Sequence, residues 1–168
     1  LAPDNHVIID ADSAQIEARV LAWLAGQDDL VDAFAKGEDV YVKMASKIYG
    51  VDEDKVDKQQ RFVGKTTILG AGYGMGAVKF QAQLKTFGTD MELDEARRVI
   101  SIYRQANDKI NKLWSEAQRT LMNLSRGDKV NFGREGVLEV VAESSAIRLP
   151  SGLLMRYDDL KAEQTDKG

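Results

Sequence analysis

The chain has 168 residues, 43% hydrophobic and 30% charged, and its 23 basic against 27 acidic residues leave a net charge of -4. That composition fits a globular chain and excludes a disordered one, while the mild acidity counts against a free-standing nucleic-acid binder, which carries a basic excess. The absence of cysteine excludes disulfides and thiolate-metal sites, and no apolar run nears the roughly 20 residues of a membrane-spanning helix.

The N-terminus, Leu1-Ala2-Pro3-Asp4, lacks the basic and apolar regions of a signal peptide. With a polar run from Gln164 to Gly168 at the other end, both termini read as boundaries cut from something longer. Val7-Ile8-Ile9 is β-branched and apolar, so it predicts a buried strand. Asp10 and Asp12 follow at strand spacing and would share one face. From Ala14 the period changes: Ile16, Val20 and Leu24 recur at helical spacing, and Gly26 stops the run. The opening unit is therefore strand, acidic turn, helix.

Two shorter helices are predicted next, Asp28 to Ala35 before Lys36-Gly37 and Asp39 to Tyr49 before Gly50. A third begins near Asp54 and runs through Lys65 into the glycine-dense stretch Gly70 to Gly76. Each glycine inside a helix costs about 1 kcal/mol relative to alanine, so this stretch marks a helix end, a bend or a close backbone approach. Helical patterns resume from Val78 to Phe87, and a long one runs from about Leu93 to Ser125, with Asp94 as its cap and Gly127 past its end. The remainder alternates as short strands, Val130 to Phe132, Val137 to Val141, Ala146 to Leu149 and Leu153 to Tyr157. Gly133-Arg134-Glu135-Gly136 and Pro150-Ser151-Gly152 supply turns. The expected class is α+β, predominantly helical, with one strand in front and hairpins behind.

Arg61, Lys65, Leu69 and Tyr73 stand four residues apart. On a helix that spacing makes a slowly winding stripe about 18 Å long. Two cations occupy its N-terminal end, where the helix dipole also favours anions, and an apolar and an aromatic residue follow. A nucleoside triphosphate has the same polarity, phosphates first and then sugar and base. Arginine can fork onto two phosphate oxygens, and lysine acts as a compact point charge. A solvated helix face with a packed tyrosine would use the same residues. Asp10 and Asp12 are likewise open to two readings: a carboxylate pair for a hard divalent ion such as Mg²⁺, or a helix cap and an exposed acid.

Taken together, these segments resemble the first two sequence motifs of family A DNA polymerases. The first is Asp12-Ser13-Ala14-Gln15-Ile16-Glu17-Ala18-Arg19 after the apolar run, against the family's Asp-Tyr-Ser-Gln-Ile-Glu-Leu-Arg. The second is Arg61, three residues, Lys65 and a glycine-containing run ending in Tyr73-Gly74. Gly37-Glu38-Asp39-Val40-Tyr41 matches the family's connector. The likeness is sharp over about residues 5 to 76 and only general beyond, and the wording from Gln15 to Gly26 is most similar to bacteriophage enzymes.

The resemblance implies a domain plan. Residues 1–27 would be a palm strand and helix, 28–127 helical fingers with the nucleotide-binding helix, and 128–168 a hairpin segment returning towards the palm. It also implies roles. Asp12, rather than Asp10, would bind Mg²⁺ as a catalytic residue in a two-metal site, with the backbone carbonyl of Ser13 as a further ligand. Arg61 and Lys65 would contact the triphosphate, Lys65 in a catalytic role too. Glu17 would crowd the sugar's 2′ position with Tyr73 as its hydrogen-bonding partner, and Gln15 would lie beside the nucleotide. The implied partners are primer-template DNA, deoxynucleoside triphosphates and the remainder of a polymerase chain, with no membrane, in the cytoplasm of a cell or of a phage's host.

Three positions depart from the pattern. Leu69 stands where an aromatic residue usually meets the sugar, Tyr41 where a phosphate-contacting histidine is common, and Ser13 where an aromatic follows the aspartate. The family's third motif, His-Asp-Glu, supplies the second metal-binding aspartate and is absent from the 168 residues, whose one histidine is His6. The chain by itself is therefore expected not to polymerise. Rival readings are a single-subunit RNA polymerase or reverse transcriptase, against which Glu17 argues, a non-catalytic nucleotide- or DNA-binding module, and a helical interaction domain. Trp114 and Tyr103 are expected to pack along the long helix, and Arg97, Arg98 and Lys109 to form a solvated face.

Overall fold

In the computed structural model, which describes residues 2–127 and 130–161, seven α-helices precede a small sheet. The helices are α1 (Ile16–Ala25), α2 (Asp28–Ala35), α3 (Val40–Tyr49), α4 (Lys58–Gly72), α5 (Ala77–Thr86), α6 (Leu93–Ala106) and α7 (Asp108–Leu124). The strands β1 (Asn131–Phe132), β2 (Leu138–Val141), β3 (Ala146–Arg148) and β4 (Leu154–Arg156) form an antiparallel meander in chain order. Its register pairs Phe132 with Leu138, Val140 with Ile147 and Ile147 with Met155. The mostly helical class with C-terminal hairpins is thus the one the sequence predicts.

The main core joins α2 to α6 through Phe34, Met44, Ile48, Val63, Phe80, Leu84, Val99 and Tyr103, all buried. In α6 the buried residues Ala96, Val99, Ile100 and Tyr103 fall on one stripe at three- and four-residue spacing. A second cluster joins α1 and α7 to the sheet through Leu21, Leu24, Leu113, Phe132, Leu138 and Ile147. An ion pair from Arg134 to Asp28 ties the turn after β1 to the start of α2.

Five local expectations change. Val7-Ile8-Ile9 forms no strand and is 84%, 69% and 87% exposed. A strand exists through its ladder, and the four described strands all pair among themselves at the other end of the sequence. Of the apolar residues at helical spacing in α1, Ile16 and Val20 are half exposed at 50% and 44%, while Ala18 and Ala22 form the buried side. The nucleotide-helix candidate starts at Lys58 rather than Asp54: Glu53–Lys55 makes a separate 3-10 turn, and Asp57 with Gln60 forms a reciprocal capping box.

The helix predicted from Leu93 to Ser125 is two helices broken at Asn107. That buried residue leaves helical geometry at φ -126°, ψ 55°, and its Nδ2 donates to the Tyr103 carbonyl at 3.1 Å. An asparagine side chain can compete with the helix for its own backbone groups. Glu92, not Asp94, holds the cap position of α6, and Asp94 instead accepts from Arg97 Nη1 at 2.6 Å.

Candidate functional site

Helix α4 is enclosed on all but one side. Between residues 61 and 73 only Arg61, Lys65 and Tyr73 are exposed, Phe62 and Leu69 are half-buried, and the rest are buried. The open face is therefore the predicted stripe. Burial elsewhere follows from small residues: a Cβ on Gly64 would lie 2.2 Å from the Tyr41 carbonyl and 3.0 Å from the Ala45 nitrogen, both in α3. Thr67, fully buried, satisfies its hydroxyl by donating to the Val63 carbonyl at 2.8 Å. The close α3–α4 approach sets the level of the whole face.

At the N-terminal end of the stripe, α3 and α4 meet around Asp39. Its Oδ1 caps α3, accepting from the backbone N–H groups of Tyr41 at 3.0 Å and Val42 at 3.1 Å. Its Oδ2 accepts from Arg61 Nε at 2.8 Å. The Arg61 guanidinium lies 5.4 Å from the centroid of the Tyr41 ring, and that ring is buried. Partial burial pushes the Asp39 carboxyl up, but the hydrogen bonds from Arg61 and Val42, the Arg61 charge and the Tyr41 N–H outweigh it and hold it below its usual range. Lys65, one turn on, has no ion-pair partner among the described residues.

At the other end, Tyr73 closes α4 and is 58% exposed. Slight desolvation and then the hydrogen-bonding and charge of Glu17 raise its hydroxyl above the ordinary phenol range. The structure thus brings Glu17 of α1 and Tyr73 of α4 together, as it does Tyr41 and Arg61. Gly74 turns the chain away through a left-handed φ of +75°.

The acidic turn is less assembled. Asp10, Asp12 and Ser13 are exposed, and the Ser13 carbonyl already accepts from the Ile16 N–H at 3.2 Å. Gln15 starts α1 from a left-handed φ of +59° without a side-chain cap bond, a conformation that costs a non-glycine residue about 1 kcal/mol or more. Among the described residues no three His, Cys, Asp or Glu side chains are grouped to hold a metal. A hard carboxylate and a carbonyl in adjacent residues fit part of a Mg²⁺ shell, which takes one or two carboxylates and completes itself with phosphates and water. They do not make a two-metal site by themselves.

Two residues outside the predicted set, Asp39 and Trp114, hold this site. Asp39 reads as a helix start, and nothing in the spacing ties it to Arg61. Trp114, expected to pack along the long helix, also donates its indole Nε1 to the carbonyl of Gly72, the last residue of α4, at 2.7 Å. A Cβ at Gly72 would also meet Leu21 at 3.3 Å and the Tyr103 hydroxyl at 3.4 Å. Three helices thus grip the end of α4 that carries Tyr73. The need of a partly buried indole N–H for an acceptor was the available signal. Replacing Trp114 with phenylalanine keeps a ring and removes the donor. It should cost about 1 kcal/mol, a melting-temperature fall of roughly 2–4 °C; an unchanged melting curve would show that the bond contributes nothing.

Other basic residues also have structural partners. Arg19 stacks on Phe34 at 4.7 Å and donates to the Phe34 carbonyl at 3.3 Å, joining α1 to α2. Arg98, expected on a solvated face, donates to the Ile48 carbonyl at 2.9 Å and pairs with Glu95. Arg97 and Lys109 stay on the surface, in pairs with Asp94 and Asp28.

The family profile described as DNA polymerase family A matches residues 1–148. The chain is 40% identical over 92 residues to a DNA polymerase I of Chloroflexus aurantiacus, covering 55% of this chain and 9% of that one. It is 33% identical over 116 residues to a thermostable DNA polymerase I of Thermus aquaticus, covering 69% and 13%. A DNA polymerase I of Caldicellulosiruptor bescii is 27% identical over 173 residues, covering 95% of this chain and 20% of its own. Among solved structures, the polymerase domain of Pol1 from M. smegmatis, in complex with DNA primer-template and dNTP, superposes with a TM-score of 0.54. The two are 25% identical, and the match covers 71% of this chain and 20% of the other. The chain spans about a tenth to a fifth of the length of these curated relatives.

Proposed function

Because the chain belongs to DNA polymerase family A, we propose that it supplies the nucleotide-binding helix and first metal-binding aspartate of a template-directed DNA polymerase. The observation that carries this reading is the single open face of α4: Arg61, Lys65 and Tyr73 are exposed with Leu69 half-buried between them, an order that suits phosphates, then sugar, then base, and Tyr73 stands beside Glu17. The substrates would be primer-template DNA and deoxynucleoside triphosphates, in the cytoplasm. The likeness to bacteriophage enzymes rests on sequence wording, especially Gln15 to Gly26, and the named relatives are bacterial.

In this reading Arg61 and Lys65 hold the triphosphate while a primer 3′-hydroxyl attacks the α-phosphorus and pyrophosphate leaves. Lys65 neutralises charge that grows on the departing phosphates. Asp12 and the Ser13 carbonyl would hold Mg²⁺, which when bound supplies electrostatic stabilisation of the reacting oxygens. A second carboxylate must come from outside these 168 residues. Glu17, ordered by Tyr73, narrows the sugar edge and disfavours a 2′-hydroxyl. Movement of α4 onto a correctly paired nucleotide would assemble the site.

The test is primer extension with Mg²⁺ and four deoxynucleotides by the full-length polypeptide that carries this segment, run beside the 168-residue chain. Extension by the first and none by the second is the expected result. A folded full-length protein that binds nucleotide or DNA without extending a primer would favour the binding-module reading. Leu69 adds a sharper expectation. A Leu69→Phe enzyme gains a ring against the sugar and should change dideoxynucleotide selectivity or turnover several-fold, of the order set by about 1 kcal/mol of aromatic contact. Unchanged selectivity and rate would remove Leu69 from the site.

A further inference from the structure

The reading of α4 as a triphosphate-binding face requires Arg61 to meet phosphate oxygens, yet its Nε donates to Asp39 Oδ2 at 2.8 Å. The pair is half exposed, at 44% for the Arg61 side chain and 39% for Asp39, and an ion pair in such a place adds little to stability. The cap of α3 does not need it either. That task falls to Oδ1, which accepts from the N–H groups of Tyr41 and Val42. Oδ2 is thus spent on Arg61 alone.

An arginine has five N–H donors in a planar fork. With Nε engaged by Asp39 and one face over the Tyr41 ring at 5.4 Å, Nη1 and Nη2 have no partner among the described residues. Those two groups form an edge suited to bidentate phosphate contact. A guanidinium that would otherwise sample many rotamers is already fixed at two points before any ligand arrives.

We propose that Asp39 is the positioning residue for Arg61: its carboxylate, with the Tyr41 ring beneath, presets the guanidinium so that the Nη edge receives the triphosphate. The inference rests on the proposed role of α4. It makes the connector between the two sequence motifs part of the nucleotide site, and gives Tyr41 a task without direct phosphate contact.

The substitution Asp39→Asn separates orientation from folding, because asparagine caps a helix as well as aspartate does while its amide nitrogen or uncharged oxygen cannot replace the carboxylate at Arg61. In the full-length polypeptide, D39N should raise the KM for deoxynucleotides about five- to tenfold, with kcat within about twofold and the melting temperature unchanged. Arg61→Ala should raise KM more, and adding D39N to it should have no further effect, since neighbours acting through one contact are not additive. A raised KM in R61A with an unchanged KM in D39N overturns the inference and leaves the α4 reading standing. A lowered KM in D39N also overturns it and makes Asp39 a competitor of the phosphates. A normal KM in R61A removes the α4 reading and this inference together.

Discussion

Replacing Asp12 with alanine in the full-length polypeptide is expected to lower the rate of primer extension about a thousandfold or more while leaving the fold intact. Asp12 is exposed, and no hydrogen bond or ion pair links it to any described residue. Its removal therefore costs no native contact, and the melting temperature should not move. On the proposed role of Asp12, what is lost is a hard anionic ligand for Mg²⁺ beside the reacting phosphate, an effect of several kcal/mol on the transition state, where each 1.36 kcal/mol is a factor of ten. Asp10 is the internal control. It is equally exposed and two residues away, and alanine there should change the rate less than tenfold. Single-turnover extension with thermal denaturation on both variants decides the matter. Equal losses at the two positions would mean that the turn acts through total charge and not through Asp12 as a ligand.

The second large effect concerns packing. Alanine usually stabilises a helix interior relative to glycine by about 1 kcal/mol, so Gly64→Ala would be expected to help. Here the added Cβ would sit 2.2 Å from the Tyr41 carbonyl oxygen and 3.0 Å from the Ala45 nitrogen. Both are backbone atoms of a helix and cannot turn aside. Overpacking of this kind typically costs 1–3 kcal/mol, which outweighs the propensity gain, and G64A should melt several degrees lower. It should also weaken nucleotide binding, because the residues pushed away, Tyr41 and its neighbours, are those that hold Arg61. A G64A protein that melts at or above the wild-type temperature would show that α3 and α4 separate at little cost.

The sequence was legible wherever a local signal determined the structure. Gly26 and Gly50 both end helices in left-handed geometry, as their positions after apolar runs suggest. The 61–65–69–73 spacing places these residues on one side of α4 and its C-cap, and the packing of the other sides leaves that side open. Failures came where the deciding partner is distant. Apolar spacing runs unbroken through Val99, Tyr103, Ile110 and Leu113, so the break at Asn107 could not be read from periodicity. It is settled by the Asn107 side chain and by Gln27, whose Oε1 accepts from the N–H of Lys109 across 82 positions. Asp39 and Arg61, 22 apart, have no shared period. Val7 to Ile9 has strand composition, but composition does not provide a neighbouring strand.

The indole of Trp114 gives the fold a built-in optical handle. The sequence has two tryptophans. Trp114 sits 40% exposed with its N–H on the final carbonyl of α4, and Trp23 lies on α1 at 38% exposure. With Trp23 replaced by phenylalanine, emission would come from a single fluorophore attached to the end of the helix that carries Tyr73. Indole emission shifts with polarity and hydrogen bonding, so any movement of α4 that stretches the 2.7 Å bond is visible as a spectral change. Stopped-flow mixing with nucleotide could then time that movement in unlabelled protein.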